Sequence, residues 1–326
     1  MVHRIPSGTR DVLPDEMREL RAMTDRIRGV LERAGYGEVS TPALEYEATF
    51  ERAGTRAVRP AYRVFDEHGN VYVLRSDMTV PIARVAASRY AHARPPLRFC
   101  YLAPVFRGAR PQRGQPRELL QVGLELLGAP APEGTAEALR VLGEVLEAAG
   151  LRTWKIGLGD AALYPALLES VGIPPQARER MLAELAAGNF VGIERELGTL
   201  RLPGERAELL RRVPRIRGGP EVLTDLPEPL HGAVAGLRAV HALLDGALAA
   251  RVIFDFGLVR SLGYYTGAIF QVYDPAYGVP LGRGGRYDEL LGRFGRPLPA
   301  VGFALDVERL HIALTGEERA QWGRGL

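Results

Sequence analysis

Residues 101–128 read YLAPVFRGARPQRGQPRELLQVGLELLG. Two apolar runs, 97–106 and 117–127, flank the polar loop GARPQRGQP, a pattern that predicts two strands joined by a loop. Successive side chains of a strand point to opposite faces. In 117–127 one face therefore carries Arg117, Leu119, Gln121, Gly123, Glu125 and Leu127, and the other carries Glu118, Leu120, Val122, Leu124 and Leu126. The second face is core. The first lines up a cation, an amide and a carboxylate around Gly123, which fits either a solvent-facing side or the floor of a polar pocket.

Outward from this pair, Pro14 and Asp15 open an amphipathic helix carrying Leu20, Met23, Ile27, Val30 and Leu31, which stops at Gly35. Residues 62–66 and 71–74 predict a hairpin around the turn EHGN. Helices are expected over about 78–89 and 134–148, and WKIGLG (154–159) reads as a strand. Between 160 and 250 the texture changes to short Ala/Leu/Glu/Arg helices broken by Pro174-Pro175, Pro203, Pro214, Gly218-Gly219 and Pro227. Strands return over 251–305, and a helix begins near Asp306. Segregated hairpins and helices predict an α+β fold, an antiparallel sheet flanked by helices. The expected organisation is one domain from 1–159 and 251–326, with 160–250 as a helical insertion.

Residues 258–270, LVRSLGYYTGAIF, add a fixed cation and two adjacent phenols. If the run is a strand, Tyr264, Thr266 and Ala268 share one face, with Tyr265, Gly267 and Ile269 on the other. Read alone, it is a core strand with two half-buried tyrosines.

Composition narrows the classes. The chain has 326 residues, a length for roughly two domains, and is 46% hydrophobic and 25% charged with a net charge of +3. That mild basicity permits nucleic-acid binding without arguing for it. Lys155 is the only lysine. Cys100 is the only cysteine, which excludes an intramolecular disulfide and a cysteine-based metal site. His3, His68, His92, His231, His241 and His311 are scattered, without the close pairing of a zinc site. No apolar run approaches a membrane span, and MVHRIPSGTRD lacks the apolar core of a signal peptide, so a cytoplasmic protein is expected.

Several segments together carry a family resemblance. LVRSLGYY resembles the histidine-binding motif of histidyl-tRNA synthetases, Arg-Gly-Leu-Asp-Tyr-Tyr, with Ser261 in place of the glycine and Gly263 in place of the aspartate. Residues 101–128 resemble motif 2 of class II aminoacyl-tRNA synthetases in its histidyl form. GRGGRYDELLGRFGRPLPAVGFALDVERL (282–310) is similar to motif 3 with its preceding Gly-Gly-Arg-Tyr-Asp. PSGTRDVLP (6–14), GYGEVSTPALE (35–45) and LRSDMTVPIAR (74–84) resemble the opening segment, motif 1 and the amino-group-binding segment. The colinear matches cover the chain outside 160–250, and imply a class II synthetase-like fold.

The resemblance implies a histidine pocket. Asp77 and Thr79, with Met78 between them, would hold the α-amino group, and Arg107 and Gln121 would sit near the carboxylate. Glu125 would accept a hydrogen bond from the imidazole, helped by Tyr264 and Tyr265. Arg260 matches the arginine that assists activation chemistry in the synthetase. Departures fall on the ATP and tRNA sides. Gln115 stands where the family has an arginine for the γ-phosphate, and Asp306-Val307 replaces Gly-Leu before Glu308 and Arg309. A carboxylate at 306 would repel a triphosphate; aspartate is also a common helix N-cap. Over 160–250 ten arginines face twelve acids, a net of −2 that is unsuited to tRNA. Arg107, Arg110, Arg113 and Arg117 form a basic loop with no acid. Only 17 residues follow Arg309, where a synthetase needs an anticodon-binding domain of roughly 100 residues.

A synthetase-like chain with a retained amino-acid pocket resembles the regulatory subunits of short-form ATP phosphoribosyltransferases. That resemblance implies a non-catalytic protein without cofactor or metal, binding neither tRNA nor membrane. It would join a short catalytic subunit in a hetero-octamer at the first step of histidine biosynthesis, with L-histidine as inhibitory effector. A homodimer through residues about 35–50 is expected from the class II resemblance. The alternative is a histidine–tRNA ligase, or a histidine-activating paralogue, lacking the anticodon-binding domain.

Overall fold

The computed structural model describes residues 4–54, 62–108, 116–259 and 263–322. Arg110, Arg113, Gln115, Arg260 and Ser261, singled out above, lie outside the described residues.

The first helix, α1 (Pro14–Arg33), has proline at its start and buries Leu20, Met23, Ile27, Val30 and Leu31, the stripe its sequence predicts, together with Thr24. Gly35 ends it at φ +84°, which a side chain would strain. Two short strands follow, β1 (Gly37–Glu38) and β2 (Leu44–Tyr46), then α2 (Glu47–Arg52). The hairpin at EHGN is β3 (Arg63–Phe65) with β4 (Val71–Leu74), and β2 joins it to make a three-stranded sheet. Next come α3 (Thr79–Ser88), β5 (Leu97–Phe106), β6 (Glu118–Leu127), α4 (Glu133–Ala149) and β7 (Lys155–Asp160).

Residues 160–250 contain α5 (Leu163–Ser170), α6 (Pro175–Ala186), α7 (Phe190–Leu200), α8 (Gly204–Arg212), the two-residue strand β8 (Arg217–Gly218), α9 (His231–Ala242) and α10 (Gly246–Ala249). The chain then runs through β9 (Val252–Asp255), β10 (Ala268–Asp274), β11 (Tyr277–Arg286), β12 (Ala300–Asp306) and α11 (Val307–Trp322).

Among the described residues, nine strands form one sheet in the order β1-β5-β6-β12-β11-β10-β7-β9-β8. Its parallel pairs are β1/β5 and β7/β9 and the rest are antiparallel, so the α+β, mostly antiparallel expectation holds. β5 and β6 pair along their full ten residues, from Leu97 opposite Leu127 to Phe106 opposite Glu118. Alternation then sorts the sheet's side chains into two cores. Val122, Leu124 and Leu126 join Leu142, Leu146, Ile27 and Leu310 in the larger cluster under α1, α4 and α11. Each such side chain contributes roughly 1.5–3 kcal/mol by leaving water. Leu163, Tyr164, Leu167 and Leu210 of α5 and α8 belong to the same cluster, and Tyr164 donates to Leu210 O at 3.1 Å.

Leu119 and Leu127, with Tyr101 and Val105, face the other way into a smaller core with Val80, Ile82 and Ala83 of α3. Arg75, 4% exposed, is satisfied by the carbonyls of Thr41, Pro42 and Pro104, and so ties the approach to α3 onto the end of β5. Residues 264–267 correct one expectation. They precede β10, which begins at Ala268, so strand alternation does not govern the two tyrosines. Thr266 N bonds Arg286 O at 2.8 Å outside the regular ladder, and Tyr264 and Tyr265 are both buried on the same side, in the smaller core.

Candidate functional site

On the face of the smaller core lies a cleft open to solvent, with Asp77, Thr79, Tyr101, Arg107, Gln121, Tyr264, Tyr265, Tyr287, Asp306 and Arg309 on its walls. Its floor is the centre of the sheet, where close approach is allowed by glycine. A Cβ at Gly123 would collide with Phe303 O and the Tyr101 ring, and one at Gly302 would collide with the Glu125 carboxylate and Leu124 O.

At one end, Asp77 and Thr79 sit where the chain enters α3. Asp77 Oδ1 accepts a hydrogen bond from Val80 N at 3.0 Å, filling one of the open amides of the helix's first turn. Thr79 Oγ1 donates to Glu125 Oε1 at 2.7 Å, and Tyr287 OH donates to Glu125 Oε2. Glu125, opposite Gly302 in the β6/β12 pair, is 1% exposed. Burial pushes its carboxyl up to about 8, the Asp77 charge adds to the rise, and the Tyr287 and Thr79 hydrogen bonds oppose it. The Tyr101 and Tyr287 phenols are driven well above their ordinary value, first by burial and then by the Glu125 charge, so both remain protonated donors.

At the other end the carboxylate is Asp306. Its Oδ1 accepts from Gln121 Nε2 at 2.7 Å, and its Oδ2 lies 3.1 Å from Arg309 Nε. Arg309 Nη1 also donates to Pro280 O at 2.6 Å. The N-terminal segment closes over this end. Arg117 N bonds Gly8 O at 2.7 Å, Arg107 N bonds Arg117 O at 2.8 Å, and Arg10 pairs with Glu16 and Glu308. Burial raises the Glu308 carboxyl, and Arg10 opposes that rise.

Of the residues expected from sequence, the cleft brings Asp77, Thr79, Arg107, Gln121, Tyr264 and Tyr265 onto its walls. Two stand off them. Met78 is fully buried in the smaller core, with Thr41 Oγ1 against its sulfur. Glu125 lies one layer behind Thr79 and Tyr287, which cover both its oxygens. Tyr287 and Tyr101 are cleft-lining residues that sequence reasoning missed. Tyr287 completes an aromatic wall, with its ring centroid 5.7 Å from Tyr264, itself 5.2 Å from Tyr265. Its signal in the sequence is the Gly-Gly-Arg-Tyr-Asp run before motif 3, whose tyrosine it is. Among the described residues no group of three or more His, Cys, Asp or Glu could hold a metal, and no helix is long and apolar enough to cross a membrane.

The arrangement suits a small zwitterion with a second basic group. Asp77 offers an anion, Arg107 a guanidinium, and the Thr79–Glu125–Tyr287 floor offers hydroxyls over a carboxyl.

The model of the histidyl-tRNA synthetase family matches residues 8–310. The ATP phosphoribosyltransferase regulatory subunit of Symbiobacterium thermophilum is 40% identical over 323 residues, covering 95% of this chain and 79% of that protein. A crystal structure described as an ATP phosphoribosyltransferase regulatory subunit/histidyl-tRNA synthetase from Bacillus halodurans superposes with a TM-score of 0.87 at 33% identity, covering 95% of this chain and 83% of that one. A histidine–tRNA ligase subunit from Alicyclobacillus acidocaldarius gives a TM-score of 0.82 at 34% identity, covering 98% and 99%. The sheet order, the glycine-floored cleft and these likenesses agree: the chain belongs to the histidyl-tRNA synthetase-like family, in the group of ATP phosphoribosyltransferase regulatory subunits.

Proposed function

We propose that this protein is the non-catalytic regulatory subunit of a short-form ATP phosphoribosyltransferase, and that L-histidine binds its cleft as the feedback effector. The observation that carries the regulatory over the ligase reading is the Asp306 end of the cleft. Asp306 takes up both Gln121 and Arg309, so the motif 3 arginine is engaged by an internal carboxylate and a carbonyl. A triphosphate there would have to displace that ion pair and face an added negative charge. In this reading Asp77, Thr79, Arg107, Gln121, Tyr264, Tyr265 and, outside the described residues, Arg260 surround the amino acid. Met78 supports the α3 entry from within the core, and Glu125 acts from beneath the floor. Residues 160–250 form a helical insertion in a synthetase-like domain. The subunit pairs with a second copy through residues about 35–50, joins the catalytic subunit in a hetero-octamer, works in the cytoplasm and does not bind tRNA.

Reconstitution tests it. The purified chain should be inactive alone, activate a short catalytic subunit, and confer inhibition by histidine on the assembly. The ligase reading is favoured by the similarity to the Alicyclobacillus ligase subunit, which matches over nearly its whole length. Histidine-dependent exchange of pyrophosphate into ATP at a synthetase-like rate would replace our reading with that one.

A further inference from the structure

The Glu125 carboxyl is an unusual thing to place under a ligand site. It is 1% exposed, and its hydrogen-bond donors are two hydroxyls, Thr79 Oγ1 and Tyr287 OH. Among the described residues, the charged groups around it do not supply a cation partner. From the entry to α3 comes Asp77, a second carboxylate. β5 and the segments before β10 and after β11 contribute the phenols Tyr101, Tyr264, Tyr265 and Tyr287. Arg107, Arg283 and the Asp306–Arg309 pair stand on the cleft walls without a hydrogen bond to Glu125. Full burial and the nearby Asp77 charge favour the protonated form of Glu125, against the two hydroxyl donors, which are neutral and bring no positive charge to offset the burial.

Resting on the histidine-pocket reading, the geometry points to a proton shared between Glu125 and the ligand: Glu125 is neutral in the empty cleft, and capture of a basic ring nitrogen draws its proton through Thr79 or Tyr287 onto that nitrogen. The transfer balances. In the neutral form the carboxyl O–H donates to a hydroxyl oxygen, and that hydroxyl donates to the ring nitrogen. As the Glu125 O–H bond breaks, the hydroxyl gains that proton and gives its own to the nitrogen. The Thr79 and Tyr287 oxygens already stand within hydrogen-bond reach of the Glu125 carboxyl, and the result is an imidazolium over a carboxylate, with both hydroxyls then donating to Glu125. Both phenols stay protonated, so no tyrosinate competes for the proton.

One proton in the complex sets the pH dependence. Below the ligand's imidazole pKa of about 6.5, the free partners together hold two protons and binding must release one. Above the Glu125 value of about 8 they hold none and binding must take one up. Affinity should therefore be flat between these limits and fall by up to about tenfold per pH unit on either side. Calorimetric titration of the full chain with L-histidine from pH 5.5 to 9, in buffers of different ionisation enthalpy, reads this directly. Expected is uptake approaching one proton near pH 9 and close to none on the plateau. Glu125→Gln should abolish the alkaline limb and keep the acid limb. The ligand's α-ammonium titrates against both proteins alike and cancels in the comparison. Binding by the native chain without proton uptake above pH 8, or an identical alkaline limb in both proteins, overturns the shared proton while leaving the histidine pocket standing. Absence of binding heat at every pH in every buffer, with no competition by histidine against any cleft ligand, overturns the pocket itself and this inference with it.

Discussion

The two ends of the cleft are built around the same group, a buried carboxylate, and differ in what faces it. Glu125 meets hydroxyls and a second acid; Asp306 meets an amide and a guanidinium. The first arrangement leaves a carboxyl whose charge is disfavoured until a cation comes to face it. The second neutralises its charge internally, so that neither Asp306 nor Arg309 is offered to a ligand without breaking the pair. One end is therefore suited to capture and the other to exclusion. The floor between them is continuous, since Glu125 and Gln121 project from one strand face four residues apart. The chemistry of the ends is set by what arrives from β12, α3 and α11, not by the strand they share.

The largest consequence of this asymmetry is in stability against pH. In the unfolded chain Glu125 loses its proton near the ordinary glutamate value of about 4.3; in the folded chain it holds the proton to about 8. A raised carboxyl stabilises the fold fully below the unfolded value and loses that contribution as pH rises through the folded one. Between about pH 4.5 and 8 the native protein should lose on the order of 4 kcal/mol through this one group. Thermal or urea unfolding of the ligand-free protein across that range, beside Glu125→Gln, measures it. The variant should show a markedly flatter decline, and parallel curves would mean that Glu125 is ionised in the native fold. Asp306→Asn should leave the slope from Glu125 in place, because it acts at the other end.

Gly302→Ala breaks the comparison at its geometric base. The new methyl would meet both Glu125 and Leu124 O, so the carboxyl has to move or the β6/β12 pair has to separate. Overpacking of this kind costs about 1–3 kcal/mol. Histidine binding should fall more than stability does, and chemical denaturation with parallel titration would separate the two. The same position marks the limit of what was legible in the sequence. Alternation along 117–127 puts Gln121 and Glu125 on one face because strand geometry is local, and the β5/β6 pair is bounded by turn residues that sequence displays. Depth was not legible. Glu125 is sealed behind Thr79 and Tyr287 because β12 sets Gly302 against it, and that register is a long-range property of the sheet. Tyr264 and Tyr265 misled for a related reason: alternation applies only where a ladder exists, and the ladder begins at Ala268. Asp306 offered a helix cap or a repulsive charge, and neither reading included its grip on Gln121 and Arg309.

That grip yields the finest test of the contrast. Asp306→Asn keeps the shape and can still accept from Gln121, but it removes the charge that holds Arg309. Arg309 retains Pro280 O as a partner and gains freedom to turn its guanidinium toward the cleft. A phosphate ligand would then lose one repulsion and gain a charge-assisted donor, a change of about 1.5–3 kcal/mol and so at least roughly tenfold in affinity. Fluorescence or calorimetric titration with ATP should detect tighter binding by the variant than by the native chain. Histidine binding at the Glu125 end should stay within about threefold, a change near 0.6 kcal/mol, since the substituted side-chain amide remains a partner for Gln121. Equal ATP affinity in the two proteins would show that exclusion does not reside in the Asp306–Arg309 pair. A histidine loss as large as the ATP gain would show that the two ends act as one site. Both outcomes bear on the regulatory reading, because a subunit that senses an amino acid beside an ATP-consuming partner gains specificity from a cleft closed to ATP.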